Sequence, residues 1–260
     1  VVLNVLGNDG DPNGDALSVV VITGPAHGAL VSNTDGTLTY TPAPDYSGPD
    51  VFTYRTSDGL LQSGVVTVSL RITPVNHPPV LAPVADASVV EGSTYTVTLA
   101  GSDADGDVLG YVLDSAPAGA SVDAAGVVRW AAANGPAVGE FVAHAVDTAG
   151  AASAAVSFVV NVANVAPVIT VSAPDTLRAG VPFGITLSAT DPGTDSIAEW
   201  LVDWGDGTRS STAGTGAAVS VTHTYSAARP VVSIVVLAVD SDGTWTAPTV
   251  TRDVLAAAPA

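Results

Sequence analysis

Apolar and polar residues alternate along this chain in short runs, such as Leu17-Ser18-Val19, Leu38-Thr39-Tyr40, Phe52-Thr53-Tyr54 and Tyr95-Thr96-Val97-Thr98-Leu99. A period of two sends successive side chains to opposite faces of an extended backbone, the signature of a half-buried strand. No stretch sustains the 3.6-residue period of a helix, and 26 Gly with 18 Pro punctuate the chain. Short strands between turn signals predict an all-β chain of sandwiches.

The pattern also repeats. Val75-Asn76-His77-Pro78-Pro79-Val80 is echoed by Ala163-Asn164-Val165-Ala166-Pro167-Val168, and Ala145-Val146-Asp147-Thr148-Ala149-Gly150 by Ala238-Val239-Asp240-Ser241-Asp242-Gly243. Proline-bearing linkers near 74–79 and 163–167 then divide the chain into units 1–76, 77–164 and 165–260. Units of this length suit a seven-stranded Ig-like sandwich of about 100 residues. In the first, Val1–Leu6, Ala16–Ile22, Thr37–Thr41, Val51–Thr56 and Val65–Thr73 are expected as strands B, C, E, F and G. The opening strand is expected to be missing, which would leave an exposed edge, as in a segment of a longer polypeptide. In the second, Tyr95–Ala100, Val108–Asp114, Phe141–Val146 and Ala154–Val162 are B, C, F and G. Pro182–Thr190, Ile197–Asp203, Val231–Val239 and Thr249–Leu255 play the same parts in the third.

Composition narrows the partners. Net charge is −18, from 22 Asp and three Glu against seven Arg and no Lys. That balance excludes the basic footprint of a nucleic-acid binder. Cysteine is absent, so neither disulfides nor thiol chemistry are available. No apolar run reaches membrane-spanning length. Neither G-x-S-x-G, H-E-x-x-H nor a phosphate loop is present, and His27, His77, His144 and His223 form no zinc pattern. Glu140 and Glu199 fall in different sandwiches, which removes them as a glycosidase pair. The chain reads as non-catalytic.

The placement of aspartate says more than its number. Asp9, Asp11, Asn13 and Asp15 cluster in one expected B–C loop, Asp103, Asp105 and Asp107 in the next, and Asp191 and Asp195 in the third. Half a unit later come the F–G turns at Asp58, Asp147 and Asp240. B–C and F–G loops share a pole of the sandwich, where the preceding linker also enters. Asp103, Asp105, Asp107, Asp147 and Asn76 then converge on one site, and Asp191, Asp195, Asp240 and Asn164 on a second. Glu91, in the A–B turn at the other pole of the middle unit, reaches that second site. Asp9, Asp11, Asn13, Asp15 and Asp58 form the amino-terminal equivalent. Calcium takes about six to eight oxygen ligands in irregular geometry, so such sets suit Ca2+. Asp9 to Gly14 also fits the start of an EF-hand loop, but Val20 stands where the closing Glu belongs and both flanks are strand-like. Asp-Gly loops are ordinary turns as well, their aspartates capping their own backbone. Repetition at equivalent positions favours metal. Asp206, within Gly205-Asp206-Gly207, is expected to shape its turn.

These residues also carry family resemblances. Val5-Leu6-Gly7-Asn8-Asp9, Gly24-Pro25-Ala26-His27-Gly28, Thr39-Tyr40-Thr41-Pro42, Tyr46-Ser47-Gly48 and Ser57-Asp58-Gly59 make the first unit similar to bacterial cadherin-like tandem domains of large secreted adhesins. Asp103 to Asp107, Gly126-Val127-Val128-Arg129-Trp130 and Ala145-Val146-Asp147 make the second resemble dystroglycan-type cadherin-like domains. Asp203-Trp204-Gly205-Asp206-Gly207-Thr208 with His223-Thr224-Tyr225 makes the third similar to PKD domains, although Val202-Asp203-Trp204 departs from that family's usual aromatic-Asp-Phe order. The resemblances imply Ig-like sandwiches at the bacterial cell surface or secreted outside it.

The expected function is a calcium-rigidified adhesion or spacer segment of a large surface or type-I-secreted protein. Its partners would be the neighbouring domains of the parent chain, and a cell-surface protein or glycan. The rival reading is a non-catalytic stalk or carbohydrate-binding accessory region of a secreted hydrolase, with Trp200, Trp204 and Trp245 as the glycan platform.

Overall fold

The computed structural model describes residues 1–257, and every regular element in it is a β-strand. Two compact units follow one another, Val1–His77 and Pro78–Ala260. The end of the expected third segment, 258–260, lies outside the described residues.

The first unit contains β1 (Val2–Leu3), β2 (Ser18–Thr23), β3 (Gly28–Ser32), β4 (Leu38–Pro42), β5 (Gly48–Ser57) and β6 (Val66–Ile72). They form two three-stranded sheets, β1-β4-β3 and β2-β5-β6. The alternation of Leu38 and Tyr40 on β4, and of Phe52 and Tyr54 on β5, turns these four side chains inward, where they are buried. Strand β3 was not anticipated. The expected strand Val1–Leu6 shortens to Val2–Leu3, because the Asp9 N–H turns back onto the Leu6 carbonyl.

A buried carboxylate ties this unit together. Asp50, 3% exposed, accepts from the N–H groups of Ala26, His27 and Val51 and from the Tyr40 hydroxyl at 2.8 Å. Each oxygen has donors, as a buried acid requires. This explains why Gly24-Pro25-Ala26-His27 is so compact a motif: its backbone N–H groups cap Asp50.

The second unit holds two sandwiches with separate cores. The first comprises β7 (Val80–Leu81), β8 (Ala87–Val90), β9 (Thr94–Thr98), β10 (Gly101–Ser102), β11 (Gly110–Ser115), β12 (Ser121–Val122), β13 (Val127–Ala131), β14 (Ala137–Val146) and β15 (Val156–Ala163). Its sheets run β11-β14-β15-β8 and β12-β13-β9, with β10 paired to β7. Phe141 stacks on Phe158 at 4.8 Å, and Trp130 meets Phe141 edge-on at 5.8 Å. Each such ring buried contributes about 1.5–3 kcal/mol.

The last sandwich comprises β16 (Val168–Ser172), β17 (Leu177–Arg178), β18 (Phe183–Thr190), β19 (Glu199–Asp203), β20 (Arg209–Ala213), β21 (Val219–His223), β22 (Arg229–Val239), β23 (Thr244–Thr246) and β24 (Val250–Leu255). Its sheets are β16-β18-β21 and β17-β24-β22-β19-β20, with β23 on β22. Trp204 and Tyr225 lie fully inside, and the Tyr225 hydroxyl donates to the Trp204 carbonyl at 2.8 Å. Asp206 accepts from the N–H and hydroxyl of Thr208 and pairs with His223 at 3.0 Å, while the His223 ring stacks on Trp204. Asp206 is thus a turn residue that also anchors the aromatic core. Trp200 and Trp204 are buried, and the Trp245 indole N–H is engaged by Asp240. Two members of the expected glycan platform, Trp200 and Trp204, are corrected accordingly, because rings packed into a core offer no face to a sugar, whereas Trp245 is only half-buried.

Candidate metal centres

Two groups of three carboxylates, each with one oxygen per residue inside 4.8 Å of the others, occur among the described residues: Asp103, Asp107 and Asp147, and Glu91, Asp191 and Asp195. Both lie in the second unit. They flank the ten-residue strand β14, with Asp147 directly after its end and Asn134, a partner of the other group, shortly before its start. At about 3.3 Å per residue the strand holds them roughly 30 Å apart.

The first group is built by two turns. Asp103 opens the loop between β10 and β11, and its Oδ1 accepts from the Asp105 N–H at 2.8 Å. Gly106 takes φ +81, which brings the chain round so that Asp107 faces back toward Asp103. The Thr148 hydroxyl donates to Asp107 Oδ1 at 2.7 Å, tying this loop to the turn after β14. There Asp147, 7% exposed, accepts from the Ala151 N–H. Asp103 Oδ2 is buried and has no hydrogen-bond donor.

The second group needs both sandwiches of the unit. Glu91 sits in the turn between β8 and β9, 2% exposed, and accepts from the N–H groups of Gly135 and Val165, both at 2.8 Å. Asp191 and Asp195 follow β18. Asp191 Oδ1 accepts from the Gly193 N–H, and Asp195 Oδ1 from the Asn134 amide and the Ser241 hydroxyl. Asp195 Oδ2 and Asp242 Oδ2 are buried with no N–H or hydroxyl donor, and the two acids hydrogen-bond to each other when one of them holds a proton. Close approach is possible because Gly193 has no side chain: a Cβ there would stand 2.6 Å from Glu91 Oε2 and 2.7 Å from Asn134 Oδ1.

Crowding of like charge appears in the proton affinities. Asp242 is pushed up to about 6, first by its hydrogen bond to Asp195, then by burial and the charges of Asp195, Asp240 and Glu91. Burial raises Asp191, helped by the charges of Glu91, Asp195 and Asp240. Asp195 is lowered despite burial, because Asn134, Asp242 and Ser241 all hydrogen-bond to it. At a partly buried site two like charges about 4 Å apart repel by about 4 kcal/mol, which a bound cation or a proton relieves.

The other expected ligands are placed as follows. Asp105 is exposed and lies outside its three-acid group. Asp240 spends its oxygens on the N–H groups of Asp242 and Gly243 and on Trp245. The Asn164 backbone packs against Gly135, one residue before the Val165 N–H that Glu91 accepts. Asn76 belongs to the first unit. There Asp11 and Asp58 serve turns, Asp11 accepting from the N–H groups of Asn13 and Asp15 and Asp58 from those of Leu60 and Leu61, while Asp9 accepts from the distant Tyr54 hydroxyl. Asp11 and Asp58 line one shared cleft, but these acids form no three-carboxylate group.

Asn134, Ser241 and Asp242 join the second centre without having been singled out as ligands. Asp242 carried a signal, as a second acid in the Asp240 turn. Asn134 carried only that of an Asn-Gly-Pro turn.

Family models match the chain in three consecutive segments: a cadherin-like domain at residues 1–73, a putative Ig domain at 78–163 and a PKD domain at 164–254. No curated protein matches the chain. Among solved structures, Drosophila N-cadherin EC1-3 is similar at 15% identity and a TM-score of 0.32, over 95% of this chain and 91% of that one. The PKD domain of an M14-like peptidase from Thermoplasmatales archaeon SCGC AB-540-F20 is similar at 24% identity and a TM-score of 0.30, over 36% and 98%. The Sidekick-1 immunoglobulin domains 1-5 give 14% identity and a TM-score of 0.40, over 93% and 52%. At such scores no function follows from them.

Proposed function

The chain is a tandem of cadherin-like, Ig-like and PKD domains, and from that order we propose that it is a non-catalytic adhesion or spacer segment working outside the cell, stiffened by calcium at its acidic loops. Domains of these kinds are typically extracellular and non-catalytic. No helix among the described residues is long and apolar enough to cross a membrane.

One observation carries the calcium reading. Each three-acid group contains a buried carboxylate oxygen that no N–H or hydroxyl reaches, Asp103 Oδ2 in one and Asp195 Oδ2, which only a protonated Asp242 serves, in the other. A buried acceptor without a partner is costly, and hard oxygens alone, with no sulfur or imidazole among them, suit a hard cation. The group is a fit for these residues: Asp103, Asp107 and Asp147 would hold one ion, Glu91, Asp191 and Asp195 another. When bound, calcium supplies positive charge that neutralises the acids and favours the ordered loops by mass action. The residues themselves do the positioning. Thr148 joins the two loops of the first centre, and Asn134 joins the two sandwiches at the second.

Bacterial origin and type I secretion belong to the same reading, supported by the acidity, the absence of cysteine and the sequence resemblance of the first unit. The amino-terminal acids have the weaker support of the single cleft that Asp11 and Asp58 share.

The test is a thermal melt of the 260-residue chain in chelator and in millimolar calcium, repeated with Asp103→Asn and Asp195→Asn. The expected outcome is a calcium-dependent rise that each substitution reduces. An unchanged melting temperature in all three chains would overturn the reading.

A further inference from the structure

Strands β2, β11 and β19 occupy the same place in the three sandwiches, each paired to a long strand, β5, β14 or β22. At one matching position two of them carry an aromatic ring and the first carries none. Register fixes the correspondence: Val19 stands opposite Thr56, Tyr111 opposite Ala145 and Trp200 opposite Ala238. Those partners lead into equivalent strand ends, Thr56-Ser57-Asp58, Ala145-Val146-Asp147 and Ala238-Val239-Asp240.

The ring fills space in the other two sandwiches. Tyr111 packs on the core of its own, where a Cβ on Gly126 would stand 3.0 Å from the ring and one on Gly101 3.1 Å from the hydroxyl oxygen. Trp200 is 2% exposed. The first unit repeats the turn around that place but not the ring. Asn33 donates its N–H to the Thr37 carbonyl and Gly36 to the Asn33 carbonyl, as Asp123 does to Val127 and Gly126 to Asp123. Gly36 and Gly126 take similar φ values, +85 and +78. Yet a Cβ on Gly36 would meet nothing nearer than Leu6 Cδ1 at 3.4 Å.

A cavity of about 420 Å³ opens at this point, lined by Leu6, Leu17, Val19 and Leu38 with Asn33 and Asp35 of the turn. Its mouth lies between β2 and β3, which are edge strands of the two sheets, and away from β1 and β6. Leu38 is fully buried, but Leu6, Leu17 and Val19 are only half-buried. Apolar surface that a ring covers in the sister sandwiches is therefore open to water here. Small-molecule pockets of about 300–1,000 Å³ share this make-up, an apolar lining with a few polar groups that set orientation.

Charge narrows the choice of ring. Asp35 is exposed at the rim, and its Oδ1 accepts from the N–H and hydroxyl of Thr37 at 3.0 and 2.6 Å. Those bonds, the hydroxyl's first, hold the Asp35 carboxyl below the usual carboxylate range. Among the described residues lining the cavity none is basic. With a net charge of −18 on the chain, an anionic ring is repelled and a cationic one attracted.

We propose that this cavity is a binding site for an aromatic amine, whose ring takes the place that Tyr111 and Trp200 fill in the sister sandwiches and whose ammonium group pairs with Asp35 at the rim. The site is independent of calcium, since no member of either three-acid group lies in this unit.

The test titrates the full chain with tyramine to millimolar concentration, in calcium and in chelator, and follows methyl resonances by NMR. Saturable shifts are expected at Leu6, Leu17, Val19 and Leu38 in both conditions, with Leu177 and Val254 of the last sandwich unmoved. Butylamine, which lacks the ring, is expected to bind about tenfold more weakly or worse. The same ring carrying a carboxylate, 3-(4-hydroxyphenyl)propionate, is expected to lose about fivefold, and Asp35→Asn to weaken tyramine by about two- to fivefold while leaving the uncharged p-cresol unchanged. Val19→Tyr supplies the missing ring from the chain itself, so tyramine binding is expected to fall by about tenfold or more and the first unit's melting temperature to rise. Absence of saturable shifts in the unsubstituted chain would overturn the proposal. So would tyramine binding no tighter than butylamine or the carboxylate, or binding unchanged by Val19→Tyr. If Val19→Tyr fails to fold, Val19→Leu narrows the cavity by one methylene and gives the same decision: weaker tyramine binding supports the site, and unchanged binding rejects it.

Discussion

The side-chain amide of Asn134 donates to Asp195 Oδ1 at 2.9 Å, and its carbonyl oxygen accepts from the Thr194 N–H at 3.1 Å. One residue of the middle sandwich thus grips the acidic loop of the last from both sides. Asn134→Ala is expected to cost about 1–3 kcal/mol, since it leaves half-buried polar groups unpaired. Asn134→Asp is expected to cost more, because it replaces the donor with another carboxylate beside Asp191 and Asp195. Chemical denaturation in chelator measures both, and equal stability of the two variants contradicts the clamp.

Gly193→Ala tests how closely the two sandwiches meet. The added methyl group collides with Glu91 Oε2 and Asn134 Oδ1. Overpacking of this kind costs typically about 1–3 kcal/mol. The expected signature is a lower melting temperature with the Val1–His77 transition unchanged, resolved by calorimetry.

Trp204→Ala removes a fully buried ring that meets Phe183 edge-on, stacks on His223 and donates to the Ser210 hydroxyl. A loss of about 3–5 kcal/mol is expected. Any glycan affinity lost with it should therefore track unfolding, which binding assays at temperatures well below the variant's midpoint can separate.

The Asp50–Tyr40 pair gives the first unit a stability that depends on pH at both ends. Asp50 is lowered in the fold: burial opposes this, but hydrogen bonds from Tyr40, Val51, Ala26 and His27 prevail. A depressed acid contributes above its unfolded value of 3.8 and loses that contribution as pH falls through the folded one. Tyr40 is pushed up to about 12, first by burial and then by its bond to Asp50. Its contribution is complete below the unfolded value of 10.0 and is lost as pH rises toward 12. Asp50→Asn is expected to flatten the acid limb of the melting curve and Tyr40→Phe the alkaline limb, each read from melting temperature against pH.

Much of this was legible in the residues. Two-residue alternation located the longer strands to within a few positions, because a sandwich strand buries one face and wets the other. It missed β3, where Gly28 and the short run to Ser32 give little alternation, and in the second unit it missed β7, β8, β10, β12, β13, β16, β17, β20, β21 and β23, all of five residues or fewer. The carboxylates were recognisable as loop residues from their glycines. Which of them would meet was only partly so: Asp103, Asp107 and Asp147 share one pole of one sandwich, whereas Asp9, Asp11 and Asp58 occupy corresponding places without forming such a group, Asp11 and Asp58 capping their own turns and Asp9 accepting from Tyr54. The difference lies in side-chain hydrogen bonds that spacing does not encode.

By itself the sequence determined the all-β class, the repeat, the acidic loops and the absence of thiol chemistry, all of which follow from local alternation, composition and turn residues. The tertiary structure alone decided that Glu91 is held by Gly135 and Val165, that Asn134 reaches Asp195, and that β6 has one open side. Those contacts join residues dozens of positions apart. Their partners are selected by how whole sheets pack and dock, and no local period along a chain records that choice.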